Sequence, residues 1–511
     1  MTQQLTLLQD VPAVQAWLAE RGVAELVVDS RRVRVGAHQA FVAWPGAATD
    51  GRAYVRQALA AGALACVVEA DGVAEHDIDD PRVLAVPGLK RRSAELAHAF
   101  YGEPSAHLDV VAVTGTNGKT STSWWTAQAL DLLGHGCGVI GTLGVGRAGD
   151  SAFQPTGFTT PDPITLQSTF QHFVRQGLKA AAIEASSIGI EESRLHATRI
   201  AVAQFTNFTQ DHLDYHGTME AYWQAKAALF AWPGLRAAVI NLDDPQGAVL
   251  QSQLAQRQVS TWTYGLRHDV RLQACDLRHH RQGVEFTVIE RDEHLKVVAQ
   301  AEVRAPVIGL FNVSNLLAVL GALRALGHAL PEAVRACSSL QAVPGRMQIV
   351  GQPQASQPLV VVDYAHTPDA LEKALSALQA VAQTRAGRLW CVFGCGGNRD
   401  PLKRPLMAAA AEQQAQHLVL TSDNPRHEPP ELILAQMVAG LTQPAAARIE
   451  LDRRRAIALA LCDAAPQDVV LIAGKGHETY QEVQGVRLPF SDVQEALDAL
   501  AAVSRSAGGQ A

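Results

Sequence analysis

The chain has 511 residues, of which 48% are hydrophobic and 18% charged, a composition that excludes a disordered or fibrous protein and leaves an ordinary globular one. Its formal net charge of −7 gives no electrostatic footing for nucleic acid or an anionic membrane surface as partner. No apolar run reaches spanning length and Met-Thr-Gln-Gln-Leu-Thr lacks the parts of a secretory leader, so a cytoplasmic protein without membrane insertion is expected. The length implies about three domains. Seven scattered cysteines (Cys66, Cys137, Cys275, Cys337, Cys391, Cys395 and Cys462) read as reduced core residues. Cys391 and Cys395 flank a glycine turn, but no second pair completes a metal site.

Residues 1–106 read as a smaller N-terminal α/β unit. Glu25 to Ser30 is a strand ending in turn residues, Val55, Ala58 and Leu59 are spaced as a helix, and Leu64 to Val68 is a second strand. A helix follows with Leu89, Leu96 and Phe100 on one side, and Tyr101 to Ser105 reads as a linker. Nothing here announces chemistry. Ser30 and the Asp50-Gly-Arg52 turn read as turn residues.

Residues 107–342 alternate strand and helix as a parallel-sheet domain does. Val110-Val-Ala-Val113 is a buried strand, Gly115-Thr-Asn-Gly-Lys-Thr-Ser121 a loop, and Lys119 to Leu133 a helix. A strand–loop–helix of this kind aims backbone N–H groups and a helix dipole at a phosphate. Lys119 supplies a cation, and the Thr120 hydroxyl is placed for the Mg²⁺ that accompanies ATP. The loop is a shortened P-loop, because Val113 stands where the longer form has its first glycine. Three more strands end in polar groups: Glu184-Ala-Ser-Ser187, Thr206 to Gly217, and Leu242-Asp-Asp-Pro245. Ligands bind at the carboxyl ends of strands in such sheets, so these groups are expected to converge on the phosphate loop, with Glu184 a further Mg²⁺ contact. Asp211-His-Leu-Asp-Tyr-His216 is dense in ligand-type side chains, and periodicity does not say which of them bind metal. Lys226 alone would read as an exposed helix lysine. Residues 258–305 suggest an antiparallel appendage, and helices at 312–326 and from Pro331 close the unit.

Residues 343–511 form a second, doubly wound (Rossmann-like) unit. Strands at 359–362, 389–393, 417–420 and 469–473 alternate with helices from Asp369, Pro405, Pro430 and Ser491. Polar clusters again follow strands: Asp363-Tyr-Ala-His366, Gly394 to Asp400, Ser422 to Arg426 and Gly474 to Glu478. The tail after Val503 reads as frayed.

Together these motifs, with Gly309-Leu-Phe-Asn-Val-Ser-Asn315 and Pro344-Gly-Arg346, resemble the Mur ligase family over nearly the whole chain. The resemblance implies a hinged, monomeric three-domain ATP-dependent ligase of peptidoglycan precursors. The partners it implies are ATP, UDP-N-acetylmuramoyl-L-alanyl-D-glutamate and meso-diaminopimelate. Gly115, Thr116, Asn117, Gly118, Lys119, Thr120 and Ser121 then bind ATP, joined by Asn315 and Arg346. Thr120 and Glu184 hold one Mg²⁺, His212 helps hold a second, and Lys226 matches a lysine carbamylated by carbon dioxide, a change that turns a cation into an anionic oxygen ligand. Lys119, Glu184, His212 and Lys226 are thereby the catalytic set.

By the same resemblance Val28, Ser30, Thr159, Thr160, Ser186, Glu192 and Arg194 contact the nucleotide-sugar substrate. The chain departs from the family pattern at Phe158, Ile188, Glu192 and the loop Ala47-Ala-Thr49. Asp423-Asn-Pro-Arg426 looks like the signature of the members that add meso-diaminopimelate. In that reading Arg426 clamps the distal carboxylate, with Arg399, Asp423, Asn424, Pro425, Gly474 and Glu478 completing the pocket.

Overall fold

The computed structural model describes residues 5–46, 49–150, 153–267, 270–280, 283–351 and 356–508. The first four residues, and Ala47 and Ala48 of the loop before Asp50, lie outside the described residues. By contacts the chain divides into two compact units, residues 1–271 with 318–336 and residues 272–317 with 337–511.

The first unit contains two sheets. The strands β1 (Thr6–Leu7), β2 (Glu25–Val27), β3 (Gln39–Ala43), β4 (Ala65–Glu69) and β5 (Val83–Val86) pair in the all-parallel order β1-β5-β4-β3-β2. The helices α1 (Val11–Glu20), α2 (Val55–Ala60) and α3 (Leu89–Phe100) connect them. Their faces fill two cores, one around Leu18, Val42 and Leu84 and the other around Phe41, Val55 and Val68. The strand expected to run to Ser30 stops at Val27, because Asp29 accepts from Arg31 N and folds Ser30–Arg32 into a 3₁₀ turn. The expected linker is anchored: Tyr101 is buried and its hydroxyl accepts from Leu26 N at 3.0 Å.

The second sheet of this unit comprises β6 (Asp109–Thr114), β7 (Cys137–Gly141), β8 (Gly144–Gly146), β9 (Ala180–Glu184), β10 (Val202–Phe205), β11 (Ala237–Asn241) and β12 (Ser260–Gly265). They run in the order β12-β11-β10-β6-β9-β7-β8, parallel except for the β7–β8 hairpin. Among them lie α4 (Lys119–Leu132), α5 (Pro163–Arg175), α6 (Ser187–Glu191), α7 (Leu213–His216), α8 (Met219–Ala227) and α9 (Pro245–Leu254). In β6, Val110 to Val113 are all but fully buried, each valine contributing about 1.5–3 kcal/mol of burial. β6 sits between β10 and β9; the chain leaves β6 toward β7 on one side and leaves β10 toward β11 on the other, and the switch point between these two strands opens the crevice where the loop of β6 lies. Residues 258–305 are therefore not one antiparallel appendage: β12 pairs parallel with β11.

The second unit contains the antiparallel meander β13 (Leu272–His280), β14 (Gly283–Arg291) and β15 (Val297–Ala305). The helices α10 (Leu310–Ala325) and α11 (Leu330–Ser338) are divided between the units by the contact partition. A six-stranded sheet follows, with β16 (Gln348–Ile349), β17 (Leu359–Asp363), β18 (Leu389–Phe393), β19 (His417–Leu420), β20 (Arg448–Ile449) and β21 (Val469–Ala473) in the order β16-β17-β21-β18-β19-β20. It is parallel except for β16. The helices α12 (Pro368–Thr384), α13 (Lys403–Gln414), α14 (Pro430–Val438), α15 (Arg453–Asp463) and α16 (Asp492–Gly508) flank it, and cores lie on both faces. α15 and the hairpin of β22 (Tyr480–Val483) and β23 (Val486–Pro489) were not anticipated from the sequence. α16 runs to Gly508, and the last three residues of the tail lie outside the described residues. Of the cysteines, Cys66, Cys137, Cys337, Cys391 and Cys395 are buried, Cys275 is half-buried and Cys462 is exposed.

Candidate active site

The phosphate loop is shaped by its neighbour, the end of β10. Thr116 N donates to Asn207 O at 2.8 Å, Asn117 N to Asn207 Oδ1 at 2.9 Å, and Thr206 Oγ1 to Asn117 O at 2.7 Å. Gly115 has φ +150°, and a Cβ there would lie 1.9 Å from Thr206 Oγ1, so the turn admits only glycine. α5, α9 and α12 are capped by their own Asp162, Asp244 and Thr367 side chains, but α4 begins at Gly118 without a side-chain cap. Such an uncapped N-terminus suits an anion.

Two lysines point at one carbonyl of this loop. Lys119 Nζ donates to Gly115 O and Thr116 O, both at 2.9 Å, and Lys226 Nζ donates to Gly115 O at 2.8 Å. Lys226 is 1% exposed, which corrects the exposed position that its helix spacing suggests. α8 turns it inward over the Tyr222 ring, 4.3 Å from the centroid. Burial, and then the adjacent Lys119, push its pKa well below the ordinary lysine value.

Glu184, 1% exposed at the end of β9, is held by neutral donors. Thr120 Oγ1 donates to Oε2 at 3.1 Å, Thr142 N to Oε1 at 2.8 Å and Thr142 Oγ1 to Oε2 at 3.1 Å. A Cβ on Gly141 would stand 2.2 Å from Glu184 Oε1, so this close approach requires glycine. His212 has φ +51°, an uncommon conformation for a side-chain-bearing residue. Partial burial lowers its imidazole pKa, and Lys119 and Lys226 add to that against the opposing Asp211. Glu184 and Thr120 present hard oxygen donors within 3.1 Å of each other, a donor set that fits Mg²⁺.

Of the remaining predicted contacts in this unit, Thr159, Thr160, Ser186 and Arg194 form a chain of hydrogen bonds. Thr159 Oγ1 lies 3.1 Å from Thr142 Oγ1. Thr160 Oγ1 donates to Glu184 O at 2.7 Å and lies 3.0 Å from Ser186 Oγ, the cap of α6. Arg194 Nη1 donates to Thr160 O at 2.9 Å, and its guanidinium covers the Phe158 ring. Glu192 is already engaged, by Lys90 Nζ at 2.5 Å and Tyr215 OH at 2.8 Å, and the Lys90 bond is the main cause of its lowered pKa. Ser30 is buried and Val28 half-buried at the edge of the first sheet's core, and Ile188 is half-buried on α6.

In the second unit, Asn315 is buried on α10, where its Nδ2 donates to Asn312 Oδ1 at 3.0 Å. Arg346 lies over the Tyr364 ring. The amino-acid loops are closely cross-linked. Asn424 Nδ2 donates to Glu478 Oε2 at 2.8 Å, and the buried Lys475 Nζ donates to both Asn424 Oδ1 and Glu478 Oε2 at 2.9 Å. Arg426 has φ +52°, and its Nη1 donates to Gly397 O at 2.7 Å. Asp423 and Pro425 are buried, Gly474 follows β21, and Arg399 is exposed at the rim.

Sequence reasoning missed Thr142, Tyr222, Lys475, Arg404 and Arg453. Thr142 had a readable signal, since Gly-Thr follows an apolar strand as Glu184 does. The buried arginines had none, because each sits on a helix where an arginine is ordinarily solvated.

Two family descriptions match the chain: the Mur ligase middle domain over residues 113–323, and the Mur ligase, glutamate ligase domain over residues 345–476. The chain belongs to the Mur ligase family and is an ATP-dependent, peptide-forming ligase of peptidoglycan synthesis. Within that class it is 53% identical to the UDP-N-acetylmuramoyl-L-alanyl-D-glutamate–2,6-diaminopimelate ligase of Acidovorax sp. (strain JS42), over 97% of this chain and 98% of that one. The enzyme of the same name from Janthinobacterium sp. (strain Marseille) is 48% identical, with 95% and 96% covered. A solved structure of a ligase of that name is 38% identical and superposes with a TM-score of 0.65, covering 94% of this chain and 95% of the other. Among the described residues no helix is long and apolar enough to cross a membrane.

Proposed function

We propose that the chain joins meso-diaminopimelate to UDP-N-acetylmuramoyl-L-alanyl-D-glutamate, working as three lobes with boundaries near residues 106 and 342. The observation that carries this reading is the amino-acid pocket: Arg426, held by Gly397 O of the loop after β18, beside a cluster of Asp423, Asn424 and Glu478. A planar two-pronged cation matches the second carboxylate that distinguishes diaminopimelate from lysine, and without that carboxylate it would be left unpaired. Glu478, steadied by Lys475 and Asn424, is the partner for a substrate ammonium.

The phosphate loop, Lys119 and the start of α4 bind the ATP phosphates, and Asn315 and Arg346 contact the nucleotide. The substrate carboxylate takes the γ-phosphoryl group to become an acyl phosphate, and the amine then displaces phosphate. Charge accumulates on oxygen in both steps, so cations and oriented N–H donors are the catalytic need. Thr120, Glu184 and His212 would hold Mg²⁺, which when bound neutralises the phosphate charge. Burial disfavours the charged form of Lys226, and the uncharged amine is the form that reacts with carbon dioxide; its carbamate would add an oxygen ligand. Val28, Ser30, Thr159, Thr160, Ser186, Glu192 and Arg194 line the path of the nucleotide-sugar, and the enzyme acts as a cytoplasmic monomer.

The test is one incubation with ATP, Mg²⁺, the UDP-muramoyl dipeptide and either meso-diaminopimelate or lysine, read by product mass. A product with diaminopimelate and little with lysine is expected. Preference for lysine overturns the role given to Arg426.

A further inference from the structure

Two buried arginines stand behind the loops that follow β18, β19 and β21. Arg453, at the start of α15, is 1% exposed. Its Nε and Nη2 donate to Asp492 Oδ1 and Oδ2, both at 2.7 Å, and neither side chain meets solvent. The spare donors reach main chain: Nη1 to Ser422 O at 3.2 Å and Nη2 to Ala473 O at 2.8 Å. Ser422 immediately precedes Asp423, and Ala473 immediately precedes Gly474. One guanidinium therefore ties together the roots of the two loops assigned to the amino acid. Arg404, also 1% exposed, does the same one loop further on. It donates to Gly396 O at 3.0 Å and to both Glu428 oxygens, joining the loop after β18 to that after β19.

Stability alone is a poor reason for such an arrangement, since a buried ion pair does about as well as a well-packed apolar pair of similar volume. An apolar pair, however, has no donors for the two strand-end carbonyls. A lysine, with one compact ammonium, cannot hold a carboxylate and two diverging carbonyls in a fixed plane. What the arrangement supplies is a set distance between loop roots, and a misplacement of about 1 Å in a binding site costs about a hundredfold in rate.

We infer that Arg453, oriented by Asp492, is a specificity-determining positioning residue that sets the spacing of the Asp423–Arg426 and Gly474–Glu478 loops and so the discrimination for an amino acid with a second carboxylate. This rests on the assignment of those loops to the amino acid. Arg453 does not touch the substrate, and its effect passes through Asn424, Arg426 and Glu478.

The experiment compares the full-length wild type with the double variant Arg453→Met/Asp492→Leu and with Arg453→Lys. Thermal midpoint, the KM for ATP, the KM for the UDP-muramoyl dipeptide, and kcat/KM for meso-diaminopimelate and for lysine are measured. In the double variant the midpoint is expected to fall, because Ser422 O and Ala473 O lose these donors, while the two other KM values stay near wild type and the diaminopimelate-to-lysine ratio contracts about tenfold or more. If the double variant does not fold, Arg453→Lys is expected to show the same contraction. Wild-type discrimination in a folded variant, or an equal loss for every substrate, overturns the inference. A wild type that prefers lysine sinks the assignment of the loops instead, and the two failures are told apart by the wild-type measurement alone.

Discussion

The loop proposed for phosphate in the first unit and the loops proposed for the amino acid in the second both lie at the carboxyl ends of parallel strands, yet they treat charge in opposite ways. In the phosphate site Lys119 and Lys226 converge on the same carbonyl, and Glu184 is held by hydroxyls and a backbone N–H. The Glu184 charge is thus positioned by neutral groups, which leaves its field to act on a bound metal. In the amino-acid loops the charges are paired: Arg453 with Asp492, Arg404 with Glu428, Lys475 with Glu478. There the pairs maintain shape. A site for a highly charged, transferring group needs an unquenched potential, and a site that must tell one amino acid from another needs fixed geometry.

Removing the buried lysine tests that contrast most severely. Lys226→Ala is expected to lower ligation by about 10³-fold, with partial rescue by short carboxylic acids that restore an oxygen ligand. Full activity without rescue would refute the carbamate role. Next comes Arg426→Ala, expected to cost about 10²-fold in kcat/KM for meso-diaminopimelate while leaving the KM for ATP unchanged. A loss that appears instead in the ATP constant would place Arg426 in the wrong site.

A smaller effect is expected from crowding Glu184 without touching its charge. Gly141→Ala puts a methyl within 2.2 Å of Oε1, and a shift of the carboxylate should raise the Mg²⁺ requirement and cut kcat about tenfold. An unaltered Mg²⁺ titration would show that Glu184 is not a ligand.

The mildest test is one of pH and stability. Burial, then Arg346 and Lys475, lower the His477 pKa to about 3. Because the folded value lies below the unfolded value of about 6.5, the unfolded chain binds the proton first as pH falls. Stability is therefore lost between about pH 6.5 and pH 3, and His477→Asn should be less sensitive by about 2–3 kcal/mol between pH 7 and pH 4.5. Parallel denaturation curves for both proteins at pH 7 and pH 4.5 would contradict this.

Local chemistry made much of the molecule legible in advance. The run Val110 to Val113 followed by Gly115 to Ser121 and a helical pattern from Lys119 read as a strand, a phosphate turn and a helix, because backbone geometry there depends on adjacent residues. Strands such as β18 and β19 were readable for the same reason, as were the polar clusters that follow them. Elements that rest on distant partners were not: β1, β16 and β20 are two residues each and exist only by pairing with a neighbour strand.

The sequence by itself determined the order of motifs, the fold class and the family, since those reside in spacing along the chain. Only the tertiary structure decided that Lys226 is buried, that Thr142 shares Glu184 with Thr120, and that Arg453 finds Asp492 39 residues away behind two loops. Burial and long-range hydrogen bonding depend on what packs against a residue, and periodicity reports only which face it occupies.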